Sequence, residues 1–188
     1  LIDEVDYKER SQGWLHSNLG YVLQSPHLFS GTIIDNIRYG NNSISDEEVI
    51  ASAKLVNAHN FIMKLENGYY TEIGEGVAML STGEKQLISF ARAIISKPKL
   101  FVLDEANSSI DTKTEALIQD AIHKVLEGRT SFVIAHRLST IRNADKILVI
   151  KKGVVVESGN HHELLEKKGY YYKLYMKQFV EEKESEIF

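Results

Sequence analysis

Residues 100–105 read LFVLDE and residues 112–126 read TKTEALIQDAIHKVL. The first is a short apolar run, β-branched and aromatic without a polar face, that stops at two acids; the second has the period of a helix. A buried strand leading into a helix is the unit from which parallel sheets are built. The pattern recurs along the chain. LGYVL (19–23), SFVIA (131–135) and KILVI (146–150) are further apolar runs, and 45–56, 84–96 and 161–168 are further helical stretches. Strands alternating with helices predict an α/β fold with a parallel sheet covered on both faces, not an antiparallel sandwich. KKG, ahead of VVVES (154–158), predicts a turn in a terminal antiparallel hairpin.

The interval from 41 to 98 breaks the alternation, with helical segments and a Gly-rich loop NGYYTEIGEGVAM but no convincing strand. It reads as a helical subdomain inserted into the sheet domain. The expected organisation is therefore a core from 1–40 and 99–160, a helical subdomain at 41–98, and a C-terminal helical segment and tail at 161–188. Pro98, in SKPKL, falls where a helix ends and a strand begins.

The bulk properties exclude several classes. With 188 residues, 43% of them hydrophobic, the chain can bury a substantial core. A net charge of -4 gives no basic excess for a nucleic-acid partner, and the acidic EEKESE near the C-terminus predicts a frayed, solvated tail. There is no cysteine, so no disulfide and no cysteine-based metal site or nucleophile can form. No apolar run approaches the roughly 18 residues of a membrane helix, and LIDEVDYKER is no secretory signal, so a membrane role must come through a partner.

Three apolar runs end in a conspicuous polar group: GYVLQ in Gln24, LFVLDE in Asp104 and Glu105, and FVIAHR in His136. In a parallel sheet the C-terminal strand ends share one edge, and ligands of open α/β folds bind just outside it. Adjacent strand residues point opposite ways, so one acid can hold a metal while the other faces a water. That is the division of labour of Mg-nucleotide hydrolysis: Asp104 on the metal, Glu105 on the attacking water, His136 on the terminal phosphate, Gln24 beside metal and water. Taken alone, a strand-end Asp-Glu pair is a helix cap or a solvated pair, and a strand-end His is structural. A second phosphate signal lies in LSTGEKQLISFARAII (80–95), where a small polar loop opens a helix and turns backbone NH groups outward.

In order and spacing, GYVLQSPHLFSGTIIDNI resembles the Q-loop region, LSTGEKQ the signature motif, LFVLDEANSSID the Walker B and D-loop, and FVIAHRLSTI the H-loop of ABC transporter nucleotide-binding domains, exporter type. The resemblance runs from about Leu1 to about Gly169. It implies a P-loop NTPase-like core and, by matching position, Gln24 as the Q-loop glutamine, Asp104 as the magnesium residue, Glu105 as the catalytic glutamate, Asp111 as the D-loop aspartate and His136 as the switch histidine. It implies ATP and Mg²⁺ as cofactors, a second nucleotide-binding domain and transmembrane domains as partners, and the cytoplasmic face of the cell membrane as location. LIDEVDYKE resembles the strand region that follows the first helix of the family domain.

The departures are as informative. No G-x-x-x-x-G-K-[ST] occurs, so the phosphate-cradling loop and its Lys are missing and an N-terminally truncated domain, inactive alone, is expected. The signature pattern LSGGQ reads here Leu80, Ser81, Thr82, Gly83, Glu84. Ser81-x-x-Glu84 is also a capping box, and its carboxylate puts negative charge beside NH groups that should meet phosphate; both readings can hold. Intact Glu105 and His136 beside an altered signature resemble one half of a heterodimeric exporter. Gly76 and Val77 replace the Arg-Gly usual in the segment that contacts the transmembrane domains. YYYKLYMKQF (170–179) gives an aromatic stripe assigned to packing, and His161 and His162 read as helix-start residues. A soluble ABC ATPase and a non-hydrolytic interaction fragment are the competing classes.

Overall fold

The structure, a computed structural model, describes residues 1–74, 80–105, 110–135 and 138–185. It forms two compact units, Leu1–Ile134 and Ala135–Phe188. In the first, the elements run α1 (Gln12–Asn18), β1 (Leu19–Val22), β2 (Gly31–Thr32), α2 (Ile33–Arg38), α3 (Asp46–Leu55), α4 (His59–Ile62), β3 (Glu72–Ile73), α5 (Thr82–Ile94), β4 (Leu100–Asp104), α6 (Thr112–Leu126) and β5 (Thr130–Ile134). Ahead of them, Ile2 and Val5 form an isolated bridge and Tyr7–Glu9 a 3₁₀ turn, so the opening residues are not a regular strand.

β1, β4 and β5 form a parallel sheet with β4 in the middle. Leu19 pairs with Leu100 and Val22 with Leu103; Leu100 pairs with Thr130 and Asp104 with Ile134. The expected α/β order is present, but among the described residues of this unit only one face of the sheet packs into a core. Val22, Phe101 and Leu103 are buried in one continuous core with Leu87, Phe90 and Ile94 of α5 and Ile118, Ile122 and Val125 of α6. The alternate residues point away from it: Tyr21 is 49% exposed, Phe132 60% and Ile134 55%. An apolar run without a polar face therefore marks a strand here without marking burial of both its sides.

The interval read as strand-free contains one short strand, β3, which pairs antiparallel with β2 in the stretch read as core, Ile73 with Gly31 and Glu72 with Thr32. Two residues are too few for a period-2 pattern to register. Three helices start at capping boxes, Thr32 with Asp35 before α2, Ser45 with Glu48 before α3 and Ser81 with Glu84 before α5, each satisfying two backbone donors reciprocally, whereas α4 has no side-chain cap.

The second unit holds α7 (Leu138–Arg142), β6 (Ile147–Lys151), β7 (Val154–Gly159), α8 (His161–Glu166) and α9 (Tyr170–Ser185). β6 and β7 make the expected antiparallel hairpin. Its turn residues Lys152 and Gly153 have φ of 50° and 80°, the left-handed pair that tight two-residue hairpins need. Leu148 and Ile150, read as buried, are exposed, whereas Val149 packs with Leu164 and Tyr171. The aromatic stripe is a packing face as expected: the His161 ring nitrogen meets the Tyr171 hydroxyl at 2.7 Å, and Tyr171, Tyr175 and Phe179 stack in succession. The Glu157 carboxylate accepts from the backbone NH of Tyr170 and Tyr171, closing the start of α9. That helix continues through Ser185, into the acidic stretch expected to fray.

Candidate functional site

Strand geometry fixes the orientation of the two acids. The β4–β5 ladder continues one step past Asp104, where the Glu105 NH donates to the Ile134 carbonyl at 3.1 Å. Successive residues therefore still alternate. Asp104 is half-buried and shares its row with exposed Ile134. Glu105 falls on the same side as Leu103 and is fully buried, at 0% exposure. Gln24 is exposed and follows two residues after Val22, which lies opposite Leu103, so it leaves the sheet at the same edge. Three of the four strand-end groups thus share one edge; the fourth, His136, lies outside the described residues.

The Asp104 carboxylate and the Gln24 side-chain carbonyl are hard oxygen donors, the kind that Mg²⁺ takes one or two of while keeping water and phosphate oxygens as its other ligands. Among the described residues no three His, Cys, Asp or Glu side chains cluster as a protein-only metal cage would require. The donor set suits a metal carried with a nucleotide.

A second group assembles at two helix starts. The Ser81 NH donates to the Glu84 carboxylate at 2.8 Å, and the Glu84 NH to the Ser81 hydroxyl at 3.2 Å. Two donors of the first turn are taken up by this exchange, and a carboxylate stands beside the rest. Thr82 is exposed, whereas Gly83 is buried against α6: a Cβ there would lie 2.3 Å from Thr114 Cγ2 and 3.4 Å from Ile110 Cγ2. Asp111 caps α6, its carboxylate accepting from the Thr114 NH at 3.0 Å. That bond holds the Asp111 carboxyl below its ordinary value. Thr114 thus brings Gly83 and Asp111 together, while Gln24, Asp104 and Glu105 sit at the sheet edge. Gly76 and Val77 lie outside the described residues.

One cluster has no counterpart in the reading of the sequence. Arg92, in the last turn of α5, donates from Nε to the Asn36 carbonyl at 2.7 Å, from one terminal nitrogen to the His27 carbonyl at 2.8 Å and from the other to Asn36 Oδ1 at 2.7 Å. Its guanidinium also lies 5.1 Å from the ring centre of Phe29 and 5.7 Å from that of Tyr39, which stack on each other at 4.2 Å. Burial pulls its pKa below the ordinary value. The available signal was a cation set between Ala91 and Ala93 in an apolar helix stripe.

A family model described as ABC transporter matches residues 1–108. Among curated proteins, an uncharacterized ABC transporter ATP-binding protein of Bacillus subtilis is 51% identical over 179 residues, covering 95% of this chain and 30% of its own length. The ATP-dependent lipid A-core flippase of Syntrophus aciditrophicus is 48% identical over 186 residues, 99% of this chain and 31% of its own length. Multidrug resistance protein 1 of Entamoeba histolytica is 48% identical over 184 residues, 96% of this chain and 14% of its own length. The chain spans less than a third of each of these relatives.

Proposed function

Because the chain belongs to the ABC transporter family, we propose that it is part of the ATP-hydrolysing motor of an exporter, driving a substrate across a membrane. The observation that supports this best is the opposed placement of Asp104 and Glu105 at the end of β4, with Gln24 at the same edge. In this reading Asp104 and Gln24 would hold Mg²⁺ at the sheet edge they share, and Glu105 would accept a proton from the attacking water. The metal, when bound, neutralises charge on the phosphates. His136 orients the terminal phosphate. Burial fixes the Glu105 carboxylate before the reaction begins, which spares reorganisation at that moment. Residues 1–188 contain no P-loop sequence, so the cradle for the phosphates is supplied from outside them.

Ser81, Thr82, Gly83, Glu84 and Asp111 serve the nucleotide of a second nucleotide-binding domain across a dimer interface. The Ser81–Glu84 exchange favours a heterodimer, since it weakens this anion site while the catalytic set is kept. Transmembrane domains of the same or a partner polypeptide complete the transporter and place this part at the cytoplasmic face of the membrane. Within the described residues no helix is long and apolar enough to cross one.

The test is Glu105→Gln in the full-length transporter. Hydrolysis should fall by about a hundredfold or more while ATP binding persists. Unchanged turnover would overturn the assignment.

A further inference from the structure

The Arg92 cluster joins two parts of the proposed machinery that the sequence holds far apart. On one side, Arg92 closes a helix whose other end is the Ser81–Glu84 turn. A helix of this length is a rigid rod, spanning about 16 Å from Ser81 to Arg92 at 1.5 Å per residue. On the other side, Arg92 grips the His27 carbonyl, three residues beyond Gln24. Three residues reach at most about 10 Å when fully extended, so Gln24 is on a short tether.

The grip is firm at both points. Asn36, only 2% exposed, donates to the carbonyls of Phe29 and Thr32 and accepts from the Phe29 NH, which fixes the loop that Arg92 holds. Arg92 in turn spends one donor on the His27 carbonyl of that loop and two on Asn36 of α2, and lays its plane near the stacked rings of Phe29 and Tyr39. A planar fork can meet these acceptors and rings together, which the compact ammonium of Lys cannot.

We propose that Arg92 is a positioning residue that pins the chain just after Gln24 to α5, so that Gln24 and the Ser81–Glu84 turn are placed by a single rigid connection. This rests on the roles given above to Gln24 and to Ser81–Glu84. A shift of the strand-end edge is then delivered to the helix start that faces the second nucleotide, and the two sites are read together.

The test uses the full-length transporter with its other cysteines removed and spin labels at Ser25 and Ser96, both exposed and flanking the pin. In the parent protein the distance between labels should be narrow. Arg92→Ala should broaden it and lower kcat for ATP about tenfold, with KM for ATP within about twofold. Arg92→Lys keeps the charge and the stem and should recover little of either. Should Arg92→Ala fail to fold, Arg92→Lys carries both readouts. A narrow distribution in the variant, or a broad one with parent kcat, overturns the proposal. If Glu105→Gln leaves hydrolysis intact while the labels still respond to Arg92, the motor reading fails and the pin survives, so the two failures are distinguishable.

Discussion

Gly83 looks in the sequence like a residue chosen for a phosphate-binding turn, and in the fold it is also a packing residue. Alanine there, at the second position of α5, would gain at most the roughly 0.5–1 kcal/mol of helix preference that it has over glycine in a helix interior. Its Cβ would, however, meet the Thr114 methyl at 2.3 Å, and a β-branched side chain cannot swing aside freely. Overpacking of this kind costs about 1–3 kcal/mol, so the net effect of Gly83→Ala should be loss of stability in urea denaturation. Adding Thr114→Ser removes that methyl and should restore most of the loss; strict additivity of the two changes would refute the contact. The strand-end residues were legible for a simple reason: a polar group stops an apolar run abruptly at Gln24, Asp104 and Glu105. Arg92 was not, because its acceptors lie 56 and 65 residues away and nothing local distinguishes it from a surface arginine.

At the scale of the element, one turn of α5 carries a cap and, in the function proposed above, an anion site. The S-x-x-E spacing made the capping box legible at Ser81, since the bonds involved span only three residues; the box at Ser45 has the same spacing and was not read from the sequence. The short helices α1, α2 and α4 and the β2–β3 ladder were not legible, being shorter than the periods that would reveal them. The two duties of α5 can be separated by Glu84→Gln. Glutamine still fills the capping box, so the melting temperature should hold, but the negative charge is gone. In the full-length chain reconstituted without a different partner, ATP hydrolysis should be slow and should rise with this substitution. A rate already normal before the change would sink the heterodimer reading, and no rise after it would reduce Glu84 to a cap.

At the scale of the whole molecule, stability should have a plateau bounded on both sides. Burial pushes the hydroxyls of Tyr69 and Tyr171 from 10.0 up to about 12. The unfolded chain ionises first, so this contribution is full below pH 10 and drains away between 10 and 12. Backbone NH donors hold Asp111 below 3.8 and Glu157 below 4.5, and the side chains of Tyr70 and Arg38 hold Asp46 low. Depressed carboxyls stabilise fully above their ordinary values and lose that contribution as pH falls through the lower folded ones. Burial also lowers His161 below 6.5, so the acid side begins to slope there. Melting temperatures across pH 3–12 test this, and a flat profile above pH 10 would contradict burial of the tyrosines. The parallel order of the sheet was legible from alternating strands and helices, but its one-sidedness was not. Tyr21, Phe132 and Ile134 are as apolar as the residues that do enter the core. In β4 that alternation makes residue count matter as much as residue identity. Loss of any one codon from 100–103 would carry Asp104 to the core side and Glu105 to the open side, with both acids still present and adjacent. The length of this strand is thus under the same constraint as its two acids, and an in-frame deletion there is a chemical change at the site rather than a mere shortening.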